Sequence, residues 1–207
     1  LGVGDVIVGN KLIQHDYGMT VDGRLMTYQP GHLPIHMPTE QPGYDVDLMI
    51  AADAVEQVFI PGVTLENRLC PNFRSAVEAG QVTAHALDAL TVVGGLMASA
   101  HGVPFQPIDA LRNPLIREIG CPFSGRRIHA VGPSRPRVTF LHAQEADRWG
   151  NLRHLSTMVY ADQLMARASD MVIASVDRIV PDEVILDDPS RVTVPSHYVD
   201  AVVEVPY

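Results

Sequence analysis

Cysteine is nearly missing from this sequence: of 207 residues only Cys70 and Cys121 are cysteine, far apart and in no paired spacing. That excludes a disulfide framework and a zinc ribbon, and it suits a reducing cytoplasm. Basic residues are few as well, 15 Lys and Arg against 24 Asp and Glu, for a formal charge of −9. Such a chain lacks the clustered cations that non-specific nucleic-acid binding needs, so no nucleic acid is expected as a partner. Aromatic residues make up 6% and charged residues 19%, while 46% of the chain is hydrophobic. This balance rules out a disordered tail, a collagen-like fibre and a coiled coil, and leaves enough apolar surface for one α/β domain with a buried core. Long apolar runs are absent too. The most apolar stretch, residues 87–105, is broken by Asp88, Gly94, Gly95 and His101 and ends at Pro104, so it reads as a soluble helix and no membrane association is expected. The chain starts at Leu1 without a basic-then-apolar leader and stops at Tyr207 inside an apolar run, from which a cytoplasmic fragment of a longer protein is expected.

What is present is an alternation of short β-branched runs with helical patterns. Residues 47–51 and 55–60 read as buried strands. Residues 71–80 read as a short helix opened by Pro71, with Phe73 and Val77 on one face and Gly80 as a left-handed stop. A strand follows at 81–84. Asp88 is placed to cap a helix whose apolar stripe is Leu90, Val93, Met97 and Ala100, and Pro104 limits it. Residues 104–137, rich in Pro, Gly and Arg, read as a long excursion over the surface. Strands are expected at 138–142, 171–176 and 199–205, with a polar turn at 147–151 and a helix around 160–168. This order predicts an α/β fold, an open and mostly parallel sheet covered by helices.

Parallel sheets place their ligands beyond the carboxyl ends of strands, which here means after residues 60, 84 and 142. Glu66, followed by Asn67, could attack an acyl carbon or act as a base, or be a solvated loop carboxylate. His142 and Gln144 share a face by strand alternation, with Ala143 opposite. They could hydrogen-bond a carbonyl or thioester oxygen, or the histidine could be satisfied within the sheet. In the turn Asp147–Asn151, Gly150 supplies an unusual φ and Asn151 can bond the backbone, which needs no function. Phe73 and Arg74 set an apolar anchor beside a cation near a helix start, suited to a phosphate or carboxylate or simply to a helix surface. Arg126, Arg127, Arg135 and Arg137 form a local basic patch that could meet a phosphorylated small molecule or be a solvated loop. There is no GxxxxGK[ST], no GxGxxG opening a helix and no GxSxG elbow. His32 and His36 have metal-like spacing, but Pro34 between them breaks the helical register, and no metal is expected.

Asp45 to Ala51, Cys70 to Gly80, Gly102 to Pro107, Pro122 to Gly125, Leu141 to Gln144 with Asp147 to Asn151, and Val199 to Tyr207 follow one another in an order that resembles the family I CoA-transferases. The likeness is to the α-type subunit of the glutaconate and 3-oxoacid CoA-transferases and covers about residues 43–207. It implies an open α/β fold of the CoA-transferase type and a β-type partner subunit in an α2β2 assembly. The implied function is transfer of CoA between an acyl-CoA and a small carboxylic acid, with the catalytic glutamate on the partner. Coenzyme A thioester is then a substrate, and no tightly bound cofactor is implied. An acyl-CoA hydrolase or decarboxylase subunit on the same fold, or a non-catalytic structural subunit, is the alternative. By this resemblance Glu66, Asn67, Phe73, Arg74, Phe105, His142, Gln144 and Asn151 line the substrate and CoA cleft, and none of them is the attacking group.

The resemblance departs in two places. Just before the central helix, where many relatives carry a glutamate, this chain has His85-Ala86, and His85 could act as a base. Residues 1–42 are atypical: Gly4 to Val8, Gln14 to Asp16 and Gln29 to Pro34 are similar to a segment of the methylthioadenosine and adenosylhomocysteine nucleosidases, without that family's catalytic acid or purine-binding segments. The expected division is therefore an N-terminal segment at 1–42 and a CoA-transferase α-subunit-like domain at 43–207, truncated at its C-terminal end.

Overall fold

The computed structural model describes residues 6–8, 18–21, 24–27, 43–59, 64–65, 68–109, 113–155 and 161–205. The first strands are β1 (Val6–Val8), β2 (Gly18–Val21), β3 (Arg24–Thr27), β4 (Gln57–Phe59), β5 (Thr64–Leu65), β6 (Arg68–Leu69) and β7 (Thr83–His85). They are followed by β8 (Gln106–Ile108), β9 (Ile116–Gly120), β10 (Arg127–Val131), β11 (Val138–Ala146) and β12 (Leu152–Arg153). The last are β13 (Val172–Ile179), β14 (Val192–Val194) and β15 (Ala201–Glu204). The helices are α1 (Tyr44–Ala51), α2 (Pro71–Glu78), α3 (Ala89–Ala100), α4 (Asp162–Ala168) and α5 (Asp182–Leu186).

Near-continuous apolar runs favour strands buried in a parallel sheet, and β11 and β13 are such runs. They pair in parallel at the centre of a sheet ordered β14-β12-β11-β13-β15. β13 also pairs in parallel with β15, while β12 and β14 close the other edge antiparallel. β1 joins β11 in parallel, Val6 opposite Val138 and Val8 opposite Phe140, so the N-terminal segment adds a strand to this sheet. The expected α/β architecture is present. Alternation gives the sheet two unlike faces. Leu141 and Ala143 with Val172, Ala174 and Val176 pack under Leu96 of α3 and Met165, Ala166 and Ala168 of α4. The opposite face carries Phe140, His142 and Gln144 beside Ile173, Ser175 and Asp177.

A second core lies under α1 and α2, built from Val46, Ile50, Val58, Cys70, Phe73, Ala76 and Val82, against the parallel pair β4–β7. Here the structure corrects the strand expected at 47–51, which is helix α1. Val46 and Ile50 are apolar residues it buries, one helical turn apart, whereas a short apolar run read alone fits either period. Asp47 explains why this helix is charged on its inner side. Its carboxylate, fully buried, accepts from Phe73 N at 2.7 Å and from Asn72 Nδ2 at 2.8 Å. Cys70, at the N-cap of α2, offers no side-chain cap, so a residue from α1 satisfies the exposed helix start instead. Pro71 opens α2 and Gly80 stops it at φ +71°, both as expected.

α3 is capped by Asp88, whose Oδ1 accepts from Thr91 N at 3.0 Å, and ends at Ala100, before Pro104. Its buried face differs from the expected stripe. Leu90 is 55% exposed, and the residues turned inward are Thr91, Gly94, Gly95, Leu96 and Ala98. The reason is a close neighbour. Residues 104–137, expected as an irregular excursion, contain a three-stranded antiparallel sheet ordered β8-β10-β9, and α3 packs on it. Pro107 sits in β8, an edge strand, where a missing N–H is tolerated. Among the described residues no helix is long and apolar enough to cross a membrane.

Candidate functional site

The middle of β11, which runs on to Ala146 and does not end at His142 as expected, and the adjoining part of β13 carry a buried polar network. His142 is 2% exposed. Its Nδ1 lies 3.0 Å from Ser175 Oγ and its Nε2 3.2 Å from Asp177 Oδ1, Ser175 being its register partner on β13. The backbone carbonyl of His142 accepts from His154 Nε2 at 3.0 Å, and that same nitrogen is 3.4 Å from Asp162 Oδ1. Gln144, on the same face of β11, accepts from Leu155 N through Oε1 at 2.9 Å. Both side chains therefore bond to neighbouring elements of the fold, and the histidine ring is sealed between two strands.

The turn after β11 is built around Asp147. Its Oδ1 accepts from Trp149 N at 3.0 Å and Asn151 N at 2.9 Å, and its Oδ2 accepts from Asn151 Nδ2 at 2.7 Å. Asn151 Oδ1 in turn accepts from Ser196 N at 2.9 Å, tying the turn to the segment after β14. Gly150 has φ +92°, the conformation expected of it. Trp149 stands 64% exposed, its indole N–H donated to Asp182 and Arg148 lying over its ring. Just before the turn, Glu145 is buried with two guanidinium partners, Arg153 and Arg178.

The remaining candidates fall in other parts of the fold. Phe73 is 6% exposed in the core under α1 and α2. Arg74 is exposed one turn from Glu78, to which its Nε donates at 2.8 Å. Phe105 is partly exposed where the chain enters β8. Glu66 and Asn67, and also His32 and His36, lie outside the described residues. Of the basic patch, Arg127 pairs with Glu118 and Arg135 with Asp170, so acidic neighbours answer two of its four charges. Among the described residues no cluster of three or more His, Cys, Asp or Glu is placed to hold a metal ion.

Cys121 and Cys70 differ sharply. Cys70 is fully buried, whereas Cys121 stands at the β9–β10 turn, where hydrogen bonds from the Ser124 hydroxyl and from the backbone N–H groups of Ser124 and Phe123 push its thiol below the usual range. Thiolate is the reactive form. At neutral pH iodoacetamide should therefore modify Cys121 first, and Ser124→Ala should slow that labelling several-fold, as read by peptide mass spectrometry.

Comparison with known proteins places this fold. The sequence profile of the family described as Coenzyme A transferase matches residues 35–205. The chain belongs to this family. It is 33% identical to the A-type subunit of the 3-oxoadipate CoA-transferase of Pseudomonas knackmussii, across 73% of this chain and 57% of that protein. An uncharacterised protein of Archaeoglobus fulgidus is 30% identical across 100% of this chain and 45% of its own length. The chain thus spans about half the length of the curated relatives it matches. Among solved structures, glutaconate coenzyme A-transferase from Acidaminococcus fermentans superposes with a TM-score of 0.70 at 26% identity, over 80% of this chain and 60% of that one. A single-residue variant of the decarboxylase AibA/AibB gives 0.63 at 26% identity, over 80% and 64%. Separately, 47 residues, 23% of the chain, are 49% identical to 18% of the 5'-methylthioadenosine/S-adenosylhomocysteine nucleosidase of Mycobacterium bovis.

In this CoA-transferase fold, two groups of residues were not singled out from the sequence. Ser175 and Asp177 complete the network around His142, and their period-two spacing on β13 was a usable signal. Gln57 and Phe59 hold His85: the two rings stack with centroids 4.3 Å apart and planes within 6°, and His85 Nε2 is 3.0 Å from Gln57 Oε1.

Proposed function

We propose that this chain is the α-type subunit of a CoA-transferase that moves CoA between an acyl-CoA and a small carboxylic acid, in an α2β2 assembly with a β-type subunit that supplies the attacking glutamate. The observation that carries this reading is the family match over residues 35–205 together with relatives named as A-type subunits of CoA-transferases. The chemistry is self-consistent. A carboxylate oxygen attacks the thioester carbon, the C–S bond breaks, and an acyl-glutamyl anhydride forms with release of CoA thiolate. The thiolate then attacks the glutamyl carbonyl, releasing the first acid and leaving a glutamyl-CoA thioester, from which CoA passes to the acceptor. Each attack builds negative charge on a carbonyl oxygen, which aimed donors in an enclosed site stabilise. Glu66, Asn67, Phe73, Arg74, Phe105, His142, Gln144 and Asn151 are assigned to the walls and framework of that cleft.

A hydrolase or decarboxylase on the same two-subunit plan is the second reading, favoured by the superposition on AibA/AibB. One experiment separates them. The full-length chain is co-expressed with its neighbouring β-type reading frame, and CoA exchange from acetyl-CoA to a panel of dicarboxylates is followed with hydroxylamine trapping of the acyl-enzyme. Exchange with a trapped hydroxamate supports the transferase. Release of free CoA or CO2 without an acceptor acid supports the second reading, and neither exchange nor trapping overturns the first.

A further inference from the structure

A chain of net charge −9 repels its own copies unless opposite charges are grouped on its surface. Two stretches depart from the average in opposite directions. Residues 117–137 hold five arginines against one glutamate, a net +4. Residues 177–188 hold five carboxylates against one arginine, a net −4. Each carries an exposed apolar side chain, Phe123 at 97% exposure and Leu186 at 72%. A single exposed apolar residue is ordinary on any protein surface. Two of them, set in charges of opposite sign, are complementary.

Phe123 stands at the tip of the β9–β10 hairpin, and that tip is closed by its own bonds. Cys121 N donates to the Arg126 carbonyl at 2.8 Å and Gly125 N to the Cys121 carbonyl at 2.9 Å, with Gly125 at φ +67°. The Ser124 hydroxyl and the N–H groups of Phe123 and Ser124 bond the Cys121 thiol. A turn held in this way presents its aromatic ring with little entropy left to lose on docking. Arg127 is paired with Glu118, whereas Arg126 is exposed and no described carboxylate pairs with it.

The acidic stretch offers a platform. α5 buries Ile185 and leaves Glu183, Leu186 and Asp187 exposed, their spacings of three and four placing them on one face. Asp182, one turn before Leu186, accepts from the Trp149 indole N–H at 3.2 Å, which sets the exposed ring beside that face. Asp182 is also paired with Arg148, and Asp188 with Arg191. Glu183 and Asp187 pair with no described cation. They are the charges left to meet Arg126, as Leu186 and Trp149 are the apolar surface left to meet Phe123.

We propose that two copies of this chain associate through these surfaces, the β9–β10 hairpin of one seating Phe123 against Leu186 and Trp149 of the other, with Arg126 at Glu183 and Asp187. Each copy gives one hairpin and receives one, so two equal contacts close about a two-fold axis. Aromatic rings and arginine are the groups on which interface energy concentrates, and an acidic rim that matches them fixes the register. This contact concerns assembly and goes beyond the reaction assigned above. In an α2β2 protein it joins the two α-type chains.

The test follows the full-length chain, alone and with its β-type subunit, by sedimentation velocity and native mass spectrometry. The chain alone should form a reversible dimer that added salt weakens. Phe123→Ser, Arg126→Glu and the pair Glu183→Arg/Asp187→Arg should each raise the dimer Kd by about 30-fold or more. Tm should stay unchanged, since all four side chains are exposed. The decisive result is complementation. Arg126→Glu chains and Glu183→Arg/Asp187→Arg chains, each monomeric alone, should form a mixed dimer when combined, because both reciprocal contacts are then attractive. A full-length chain that stays monomeric overturns the proposal. So does a dimer that survives the three variants, or two variants that fail to complement. Hydrogen exchange at residues 121–127 that slows only when the β-type subunit is added assigns the hairpin to that subunit and overturns it as well. None of these outcomes touches the reading of the reaction, which stands or falls on CoA exchange.

Discussion

Replacing Glu145 by glutamine should destabilise the protein by about 3–5 kcal/mol, the loss expected when one member of a buried ion pair is removed. The carboxylate is 1% exposed at the end of β11. Arg153 reaches its Oε2 with Nε at 2.6 Å and with Nη2 as well, and the Arg153 side chain is itself 12% exposed. Arg178 reaches Oε1 with Nε at 2.9 Å, but from a side chain that is 63% exposed. The two arginines therefore respond differently. Water replaces the carboxylate for Arg178 at little cost. Arg153 is left as an enclosed cation whose other bond is Nη1 to the carbonyl of Val184 at 3.2 Å, and the single amide oxygen that can still accept from it carries no charge to pair with. A loss of that size lowers Tm by roughly 10 °C in a protein of this length. Thermal unfolding of wild type, Glu145→Gln, Arg153→Met and the Glu145→Met/Arg153→Met pair checks it. The double variant should recover most of the loss, since apolar side chains of similar volume need no partner. Arg178→Ala should cost less than about 1 kcal/mol. A glutamine variant as stable as wild type would show that the pair is solvated.

How much of this was legible in the sequence follows from the range of the interactions. Local signals were read correctly: Asp88 as a cap three residues from Thr91 N, Pro71 as a helix start, Gly80 and Gly150 at positive φ, and the start of the strand that became β11, which was expected to end at 142 and runs to Ala146. Each depends on chain neighbours and needs no knowledge of the fold. Long-range substitutes for local signals were missed. Asp47 was read within a strand because the donors that justify a buried carboxylate, Asn72 Nδ2 and Phe73 N, lie 25 and 26 residues away. The site divides in the same way. That His142 and Gln144 share a face follows from alternation, but that Ser175 and Asp177 face His142 depends on the register of β11 against β13. The same holds for Gln57 and His85, 28 residues apart and joined by the pairing of β4 with β7.

The expected apolar stripe of α3 failed because glycine carries no hydrophobic signal, and this leads to the second large effect. Alanine at Gly94 and Gly95 together should cost about 2–4 kcal/mol, although alanine is the better helix former by roughly 0.5–1 kcal/mol at each position. A Cβ at Gly94 would lie 2.8 Å from Ile108 Cγ2 and 2.9 Å from Val131 Cγ1, both β-branched groups with little rotamer freedom. At Gly95 it would overlap Ser134 Oγ and come within 3.0 Å of Ser134 Cβ. Ser134 cannot retreat alone: its N–H donates to the Gly95 carbonyl at 2.9 Å, and its own carbonyl accepts from Ser99 Oγ at 2.7 Å. The helix and the sheet β8-β10-β9 would have to separate, losing these bonds and the packing with them. The two single variants should be less than additive, because either one already moves the sheet that the other needs moved. Val131→Ala should rescue Gly94→Ala only in part, because Ile108 Cγ2 still meets the added carbon, and should leave Gly95→Ala unrescued. Gly120→Ala, with nothing within 4 Å of the added carbon, should change stability by less than about 0.5 kcal/mol and serves as the control in urea titrations. Equal stability of the double variant and wild type would mean that α3 does not rest on this sheet through its glycines.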